Sequence, residues 1–159
     1  MAKANLEVID ALRQAAERIE SKSNYNWKDI GACNCGNLVQ VVCNFDKKEI
    51  RKAGIKKHGD WETLVQLYRK DSPFEIDKII TKMVEFGFAP EDLVELENLS
   101  SPKIRSRIGK RFLKRDDRED AILYLQAWAD ILEEEMVESV KLTELEALNV
   151  YSGVKEEIV

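Results

Sequence analysis

The chain of 159 residues is 44% hydrophobic and 35% charged, and it carries a formal net charge of −5. This length and this apolar fraction are typical of one globular domain with a packed core, and they exclude a wholly disordered chain. The acidic balance does not favour a general nucleic-acid-binding protein.

Three further features of the composition predict a cytoplasmic protein. No apolar run approaches the roughly 18 residues that a membrane-spanning helix needs. The charged N-terminal pattern lacks the apolar centre of a signal peptide. The three cysteines cannot all pair with one another, so we expect reduced thiols and no association with a membrane.

Glycine and proline are scarce in this chain. The 7 Gly and 3 Pro fall below the average usage of about 7% and 5%, which favours long helices over a fold with many turns. The first segment has an apolar stripe at helical spacing. We expect a helix of about five turns there, with these side chains turned inward: Leu6, Ile9, Leu12, Ala16 and Ile19.

The apolar run at residues 38–42 could form either a buried helix or a buried strand. A strand needs a partner, and no other β-branched run of similar quality occurs in the chain. We therefore predict a helix for this run.

Capping signals place the next three helices. Asp46 with Glu49 forms a capping box for a short helix that should end near Gly54. Asp60 can cap a helix that carries Trp61, Leu64, Val65 and Tyr68. Ser72 with Pro73 and Glu75 combines an N-cap, a first-turn proline and a capping-box glutamate, and it should start a helix that ends at Gly87.

Proline and acidic residues mark the remaining helices. Pro90 and the pair Ser101-Pro102 each start a helix, and the second should turn Ile104, Ile108 and Phe112 to one side. Asp116 with Glu119 should cap the longest helix, and a final short helix should cover residues 142–148. These elements predict an all-α fold, a single-domain bundle of about eight helices that spans residues 1–159.

Charge is distributed unevenly along the second half of the chain. Residues 103–118 hold eight basic and two acidic side chains, a local balance of +6, whereas residues 130–159 hold nine acidic and two basic ones, a balance of −7. Clustered Arg and Lys can bind an anion or a nucleic acid. They can equally form a basic face that meets an acidic one within the fold or across a dimer, and we expect this second arrangement.

The segment Cys33-Asn34-Cys35-Gly36 precedes the predicted helix at residues 38–42. A thiol at a helix N-terminus ionises more easily, because the dipole of the helix stabilises the thiolate. Cys35 is therefore a candidate nucleophile, and His58, the only histidine, is its candidate general base.

The same thiols, together with Cys43 and His58, have the composition of a Cys3His metal site. On a continuous helix, however, Cys35 and Cys43 would lie about 12 Å apart along the axis. Two sulfurs on one zinc ion lie within about 4.6 Å, twice the Zn–S bond length. We therefore predict no metal and no cofactor.

A structural role for the three cysteines is the alternative that we favour, because free cysteines are usually small buried residues. We then expect Cys33 and Cys35 at or just before a helix N-terminus, with Cys43 two turns deeper in the core. Asn34 and Asn37 would cap that helix or brace the loop at residues 25–27. If the segment instead binds a ligand, the candidate contact residues are Tyr25, Trp27, Cys33, Asn34, Asn37 and Gln40.

Several motifs resemble those of an uncharacterised family of bacterial hypothetical proteins. The pattern is Tyr25-x-Trp27, then Cys33-Asn34-Cys35-Gly36-x-Leu38-x-Gln40, then Gly59-Asp60-Trp61. The resemblance implies a shared fold and no particular reaction. In that family the position of Asn37 is often a histidine and His58 is not required, so the resemblance does not support His58 as a base.

Three functions follow from these patterns. The first is a helical module that associates with itself, as a homo-oligomer, or with an unknown partner. The second is a cysteine-dependent enzyme or small-ligand binder centred on Cys35. The third is an anion or nucleic-acid binder that uses residues 103–118. Exposure of Cys35 discriminates between the first two, because a nucleophile must open onto a pocket.

Overall fold

A computed structural model describes the backbone of residues 1–57 and 59–158, and the side chains of residues 1–55 and 59–149. Eight α-helices and no β-strand occur in these residues, which confirms the predicted all-α bundle. The helices are α1 (Leu6–Glu20), α2 (Asn34–Cys43), α3 (Lys47–Lys57), α4 (Trp61–Gln66), α5 (Glu75–Phe86), α6 (Pro90–Asn98), α7 (Pro102–Ile108) and α8 (Arg118–Ile158). Among the described helices, none combines the length and the apolar character that crossing a bilayer requires.

Helix α2 lies at the centre of the bundle. It contacts α1, α3, α5 and α6, while α1 packs along the first half of α8. The guanidinium of Arg118 donates to the carbonyl oxygens at the C-terminal end of α1, and Arg13 pairs with Asp130 and Glu133, so α1 and α8 run antiparallel. These contacts hold the first and last helices together.

Residues 38–42 are helical, as predicted. Leu38 and Val39 are fully buried, and every residue from 34 to 40 is buried. A helix satisfies the backbone hydrogen bonds of such an enclosed segment internally, whereas a strand would leave them without partners.

The predicted inward stripe of α1 is wrong at one position. Leu6 is 65% exposed, although the other four residues of the stripe are buried. The buried face of α1 also includes Val8 and Ala15 and is centred between them and Leu12. At about 100° per residue, Leu6 points away from this face.

Phe112 also departs from its predicted place. Helix α7 ends at Ile108, because Gly109 follows in the left-handed conformation with φ of 70°. Phe112 therefore lies outside the helix and is 77% exposed, and the core position next to it is taken by Leu113.

Most of the predicted helix starts are confirmed, but α3 continues through Gly54 to Lys57, and two N-caps are shifted. The amides of Glu49 and Thr63 donate to Asp46 and Asp60, as expected. Helix α5, however, begins at Glu75 with Phe74 as its N-cap rather than Ser72. At the start of α8 the amide of Glu119 donates to Asp117, not to Asp116.

Helix α8 is one continuous element of 41 residues, so the separate final helix predicted at residues 142–148 is wrong. No glycine or proline interrupts residues 110–152, and nothing in the local sequence therefore ends the helix. Its inward side chains are buried only as far as Leu132. Beyond the half-buried Met136, all residues from 137 to 149 are exposed.

Gly36 allows α2 to approach the loop before it. A Cβ atom at position 36 would lie 2.5 Å from the carbonyl oxygen of Ile30 and would also clash with the backbone of Gly31. Backbone atoms cannot move aside as a flexible side chain can. Glycine at this position therefore permits the contact that places Cys33 and Cys35.

We predict that Gly36→Ala lowers the free energy of unfolding by about 1–3 kcal/mol, the usual cost of overpacking. Gly54→Ala is the matched control in α3, because its added methyl group would meet only the flexible end of the Ile30 side chain. Urea denaturation of both variants measures the difference. Equal stability of the two variants would contradict the backbone contact.

Candidate functional site

Cys33 is the N-cap of α2, where the sequence analysis placed it. Its backbone is extended, and its sulfur accepts the amide hydrogen of Gly36 at 3.4 Å. A side chain that accepts this bond satisfies one of the free amides of the first turn. Cys33 therefore serves the helix end in the way that serine usually does.

Glu97 of α6 completes this cap. One oxygen of its carboxyl group accepts the amide hydrogen of Cys35 at 3.1 Å and the thiol hydrogen of Cys33 at 3.3 Å. A carboxyl group at this place also faces the positive end of the helix dipole. Burial raises the pKa of Glu97, and the hydrogen bonds from Cys35 and Cys33 oppose that rise. The buried site is thus a cluster of Cys33, Cys35 and Glu97.

Glu97 was not predicted from the sequence. One signal was available, because Glu97 follows Leu93 by four residues, and residues at this spacing share a helix face. Leu93 is fully buried. A charged residue on the inward face of a short helix indicates a buried polar partner.

Cys35 lacks the exposure that a nucleophile needs. Its relative exposure is 0%, and its thiol donates to the carbonyl oxygen of Leu93 at 2.8 Å. Burial and the nearby carboxyl group of Glu97 raise the pKa of Cys35 well above its ordinary value. The pKa of the buried Cys33 is raised for the same two reasons. Both thiols therefore stay protonated near neutral pH. The helix dipole, which favours the thiolate, has a smaller effect on these two pKa values than burial and the carboxyl group together.

Asn34 joins three parts of the chain. Its amide nitrogen donates to the carbonyl oxygens of Leu96, Glu97 and Arg115, and its amide oxygen accepts from the hydroxyl group of Tyr25 at 3.0 Å. Asn34 is fully buried and hydrogen-bonded to the protein itself. Its side chain ties the end of α6 and the loop before α8 to the loop at residues 25–27.

Asn37 and Gln40 brace the turn that leads into α2. The amide nitrogen of Asn37 donates to the carbonyl oxygens of Ala32 and Cys33. The amide nitrogen of Gln40 donates to the carbonyl oxygen of Gly31, and its oxygen accepts from Arg18 of α1. These contacts are those of structural residues, although the amide oxygen of the buried Asn37 has no hydrogen-bond partner.

Tyr25 and Trp27 lie at the edge of the cluster. Both side chains are half-buried against the core. The guanidinium of Arg115 lies 5.5 Å from the centre of the Trp27 ring, within the range of a cation–π contact. Trp27 therefore holds the loop that contains Arg115, and it is not free to receive a ligand on that face.

The proposed dyad and metal site also include His58 and Cys43. His58 lies outside the described residues, so its pairing with Cys35 stays a prediction. Cys43 is half-buried at the C-terminal end of α2, not deeper in the core, because the buried part of the helix ends at Gln40. It shares one continuous helix with Cys35, which keeps the two sulfurs about 12 Å apart along the axis.

Several basic side chains of residues 103–118 form ion pairs within the chain. Lys103 pairs with Glu135, Arg107 with Glu134 at 2.6 Å, and Lys110 with the buried carboxylate of Asp120. The first two pairs confirm that the basic and acidic segments meet within the fold. Arg111 and Lys114 are exposed and have no carboxylate partner among the described side chains.

The segment of α8 at residues 137–149, which we call the C-terminal arm, exposes an unusual amount of apolar surface. Five large apolar side chains on it are between 43% and 61% exposed: Val137, Val140, Leu142, Leu145 and Leu148. The arm also carries Glu138, Glu144 and Glu146 against the single basic residue Lys141. It is therefore both apolar and acidic.

Comparisons with protein-family models, with curated proteins and with solved structures found no match for this chain. The resemblance to a bacterial family therefore stays a prediction, and the function must be argued from the geometry alone.

We predict that Glu97 makes stability depend on pH. A raised pKa in the folded state means that folding favours the protonated form. The resulting stabilisation is present below the ordinary pKa of a glutamate and is lost as pH rises through the raised value. Wild-type protein should therefore lose stability relative to Glu97→Gln as pH rises from about 4 towards neutrality.

The measurement is urea denaturation of both proteins across this range. Glu91→Gln, an exposed site on the same helix, is the control. At each pH the free energy of unfolding of Glu97→Gln is subtracted from that of the wild type. This difference removes the contribution of Asp92, whose pKa is also raised by burial. A difference in free energy of unfolding between wild type and Glu97→Gln that does not change with pH would contradict the prediction.

We also predict the order in which the thiols react. Cys43 is the only half-buried cysteine, with a pKa raised to about 11 by burial, and it should be alkylated first and slowly. Cys33 and Cys35 should react with iodoacetamide only at the rate of unfolding, because only an exposed thiolate is nucleophilic. Mass spectrometry of native and Cys43→Ala protein measures this order. Rapid labelling of Cys35 in the folded protein would contradict it.

Proposed function

We propose that the protein is a helical module that associates with itself through the C-terminal arm. The observation that carries this proposal is the exposure of five large apolar side chains on thirteen consecutive residues of α8. Contiguous apolar surface of this kind is rare on monomeric proteins and is typical of an interaction site.

The energetics of helix formation support a partner for the arm. In proteins most of the stability of a helix comes from tertiary packing of one face rather than from helix propensity. The arm makes no packing contact that would bury its leucines in the described chain. A second chain that covers this face would supply the missing burial.

Charge favours a second copy of the same chain as the partner. The arm is acidic, and an acidic surface associates best with a basic one. Residues 103–118 of the same chain are strongly basic. Within one chain the pairs Lys103–Glu135 and Arg107–Glu134 already join this basic segment to the acidic turn of α8 just before the arm.

The cysteine-centred alternative has less support. Its nucleophile is fully buried with a raised pKa, and both thiols are engaged with protein acceptors. The asparagines and Gln40 hydrogen-bond to the surrounding chain. No observation at this cluster favours a ligand over a structural role.

We predict that wild-type protein forms a dimer at micromolar concentration and that Leu145→Gln with Leu148→Gln weakens it about 100-fold. Burial of each leucine contributes about 1.5–3 kcal/mol, and 1.4 kcal/mol corresponds to a factor of ten. Sedimentation equilibrium measures the dissociation constants. Because both leucines are exposed within one chain, the stability of the monomer should not change.

Thr143→Gln is the matched control, because Thr143 is an exposed polar residue of the same arm. It should leave the dissociation constant unchanged. A wild-type protein that stays monomeric at high micromolar concentration would contradict the proposal.

A further inference from the structure

The loop that joins α7 to α8 presents Phe112 to solvent from a well-anchored backbone. This segment, residues 109–115, is called the basic loop below. Leu113 is buried beneath it, and the buried carboxylate of Asp120 accepts from both the Lys110 ammonium group and the Lys114 amide. Asn34 holds the far end through the carbonyl oxygen of Arg115 at 2.9 Å. The exposure of Phe112 is therefore not a result of a loose loop.

The basic loop has the chemistry that would complement the C-terminal arm. Phe112 is 77% exposed and is flanked by Arg111 and Lys114, two exposed basic residues that have no carboxylate partner among the described side chains. On the arm, Glu138 and Glu144 flank exposed apolar side chains and likewise have no basic partner in the described part of the chain. The basic loop can supply cations to the glutamates of the arm, and the arm can supply carboxylates to the cations of the loop.

We infer that the basic loop of one copy docks on the C-terminal arm of a second copy. This inference rests on the proposed self-association and names the surface that the arm meets. Phe112 packs on Val137 and Val140, while Arg111 and Lys114 face Glu138 and Glu144. The spacings agree: Glu138 and Glu144 lie about 9 Å apart along the helix, and three extended residues span up to about 10 Å.

A groove at the base of the arm provides room for the aromatic ring. It has a volume of about 640 Å³, and Val137, Glu138 and Lys141 line the part that belongs to the arm. Asp130, Glu133 and Glu134 line the rest together with Arg107, so the groove is acidic overall. An aromatic side chain between two cations fits such a groove.

The loop cannot cover the arm of its own chain. Lys110 contacts Asp120, and Val137, the docking residue nearest to the loop, lies about 25 Å further along α8 at 1.5 Å per residue. In an antiparallel pair of α8 helices, however, each loop meets the arm of the other copy. A twofold arrangement satisfies both contacts at once and closes the assembly as a dimer.

The experiment is a charge exchange, with each dissociation constant measured by sedimentation equilibrium. One variant carries Arg111→Glu and Lys114→Glu, and the other carries Glu138→Lys and Glu144→Lys. In either variant alone both contacts of the dimer are repulsive, so self-association should weaken at least tenfold. An equimolar mixture should form a heterodimer, because each reversed loop then meets a reversed arm and each native loop meets a native arm.

Two further variants complete the design. Phe112→Ala should weaken the wild-type dimer at least tenfold without changing the stability of the monomer. Lys22→Glu with Lys28→Glu reverses two exposed lysines outside the loop, and it should leave the dimer unchanged. Circular dichroism of each variant checks that it is folded.

The outcomes separate this inference from the proposed function. A monomeric wild-type protein overturns both. A wild-type dimer that persists in both charge-reversal variants overturns the docking of the loop and leaves self-association through the arm. Salt-dependent binding of a single-stranded oligonucleotide, lost with Arg111→Glu and Lys114→Glu while the dimer is unaffected, assigns the loop to nucleic acid and overturns the inference. Recovery of association in the mixture alone supports it.

Discussion

The N-terminus of α2 is buried in the middle of the bundle, where its free amide groups cannot reach water. An unsatisfied amide in such a place costs about as much as a lost hydrogen bond with a buried group, roughly 1–3 kcal/mol. Cys33 accepts the amide hydrogen of Gly36, and Glu97 accepts that of Cys35. Because Glu97 belongs to α6, the cap of one helix depends on the position of another. The central helix is therefore stable only when α6 is in place.

The same dependence extends through the polar side chains around the helix start. Asn34 reaches the end of α6 and the loop before α8, while Gln40 connects the turn at Gly31 to Arg18 of α1. The bonds that Asn34 and Gln40 donate end on backbone carbonyl oxygens that no helical hydrogen bond satisfies, whereas the bond from Arg18 joins two side chains. Buried networks of this kind specify one arrangement of the helices, because a partly satisfied network is costly in low dielectric. The Cys-Asn-Cys-Gly segment thus contributes to the arrangement of the helices.

Much of the fold could be predicted from the sequence because its signals are local. Caps such as Asp60 and the first-turn prolines act over a few residues. The position of Cys33 at a helix start was predicted for the same reason. The burial of Cys35 was the favoured expectation, because free cysteines are usually buried. Its partner Glu97 was not predicted, since α6 packs over Cys35 from 62 residues away along the chain. Phe112 was misplaced because a single glycine, Gly109, ends α7 one turn earlier than the apolar spacing indicates.

The continuity of α8 has a consequence for how the protein is degraded. The side chains of the helical arm are exposed over residues 137–149, so in a single copy its amides open by fraying, without disturbing the bundle. Proteases cleave segments that open in this way. In the proposed assembly a second copy would cover the arm and protect those amides from water and from proteases. The lifetime of the arm would then depend on the concentration of the protein, and at low concentration proteolysis would leave a trimmed bundle that can no longer associate through the arm.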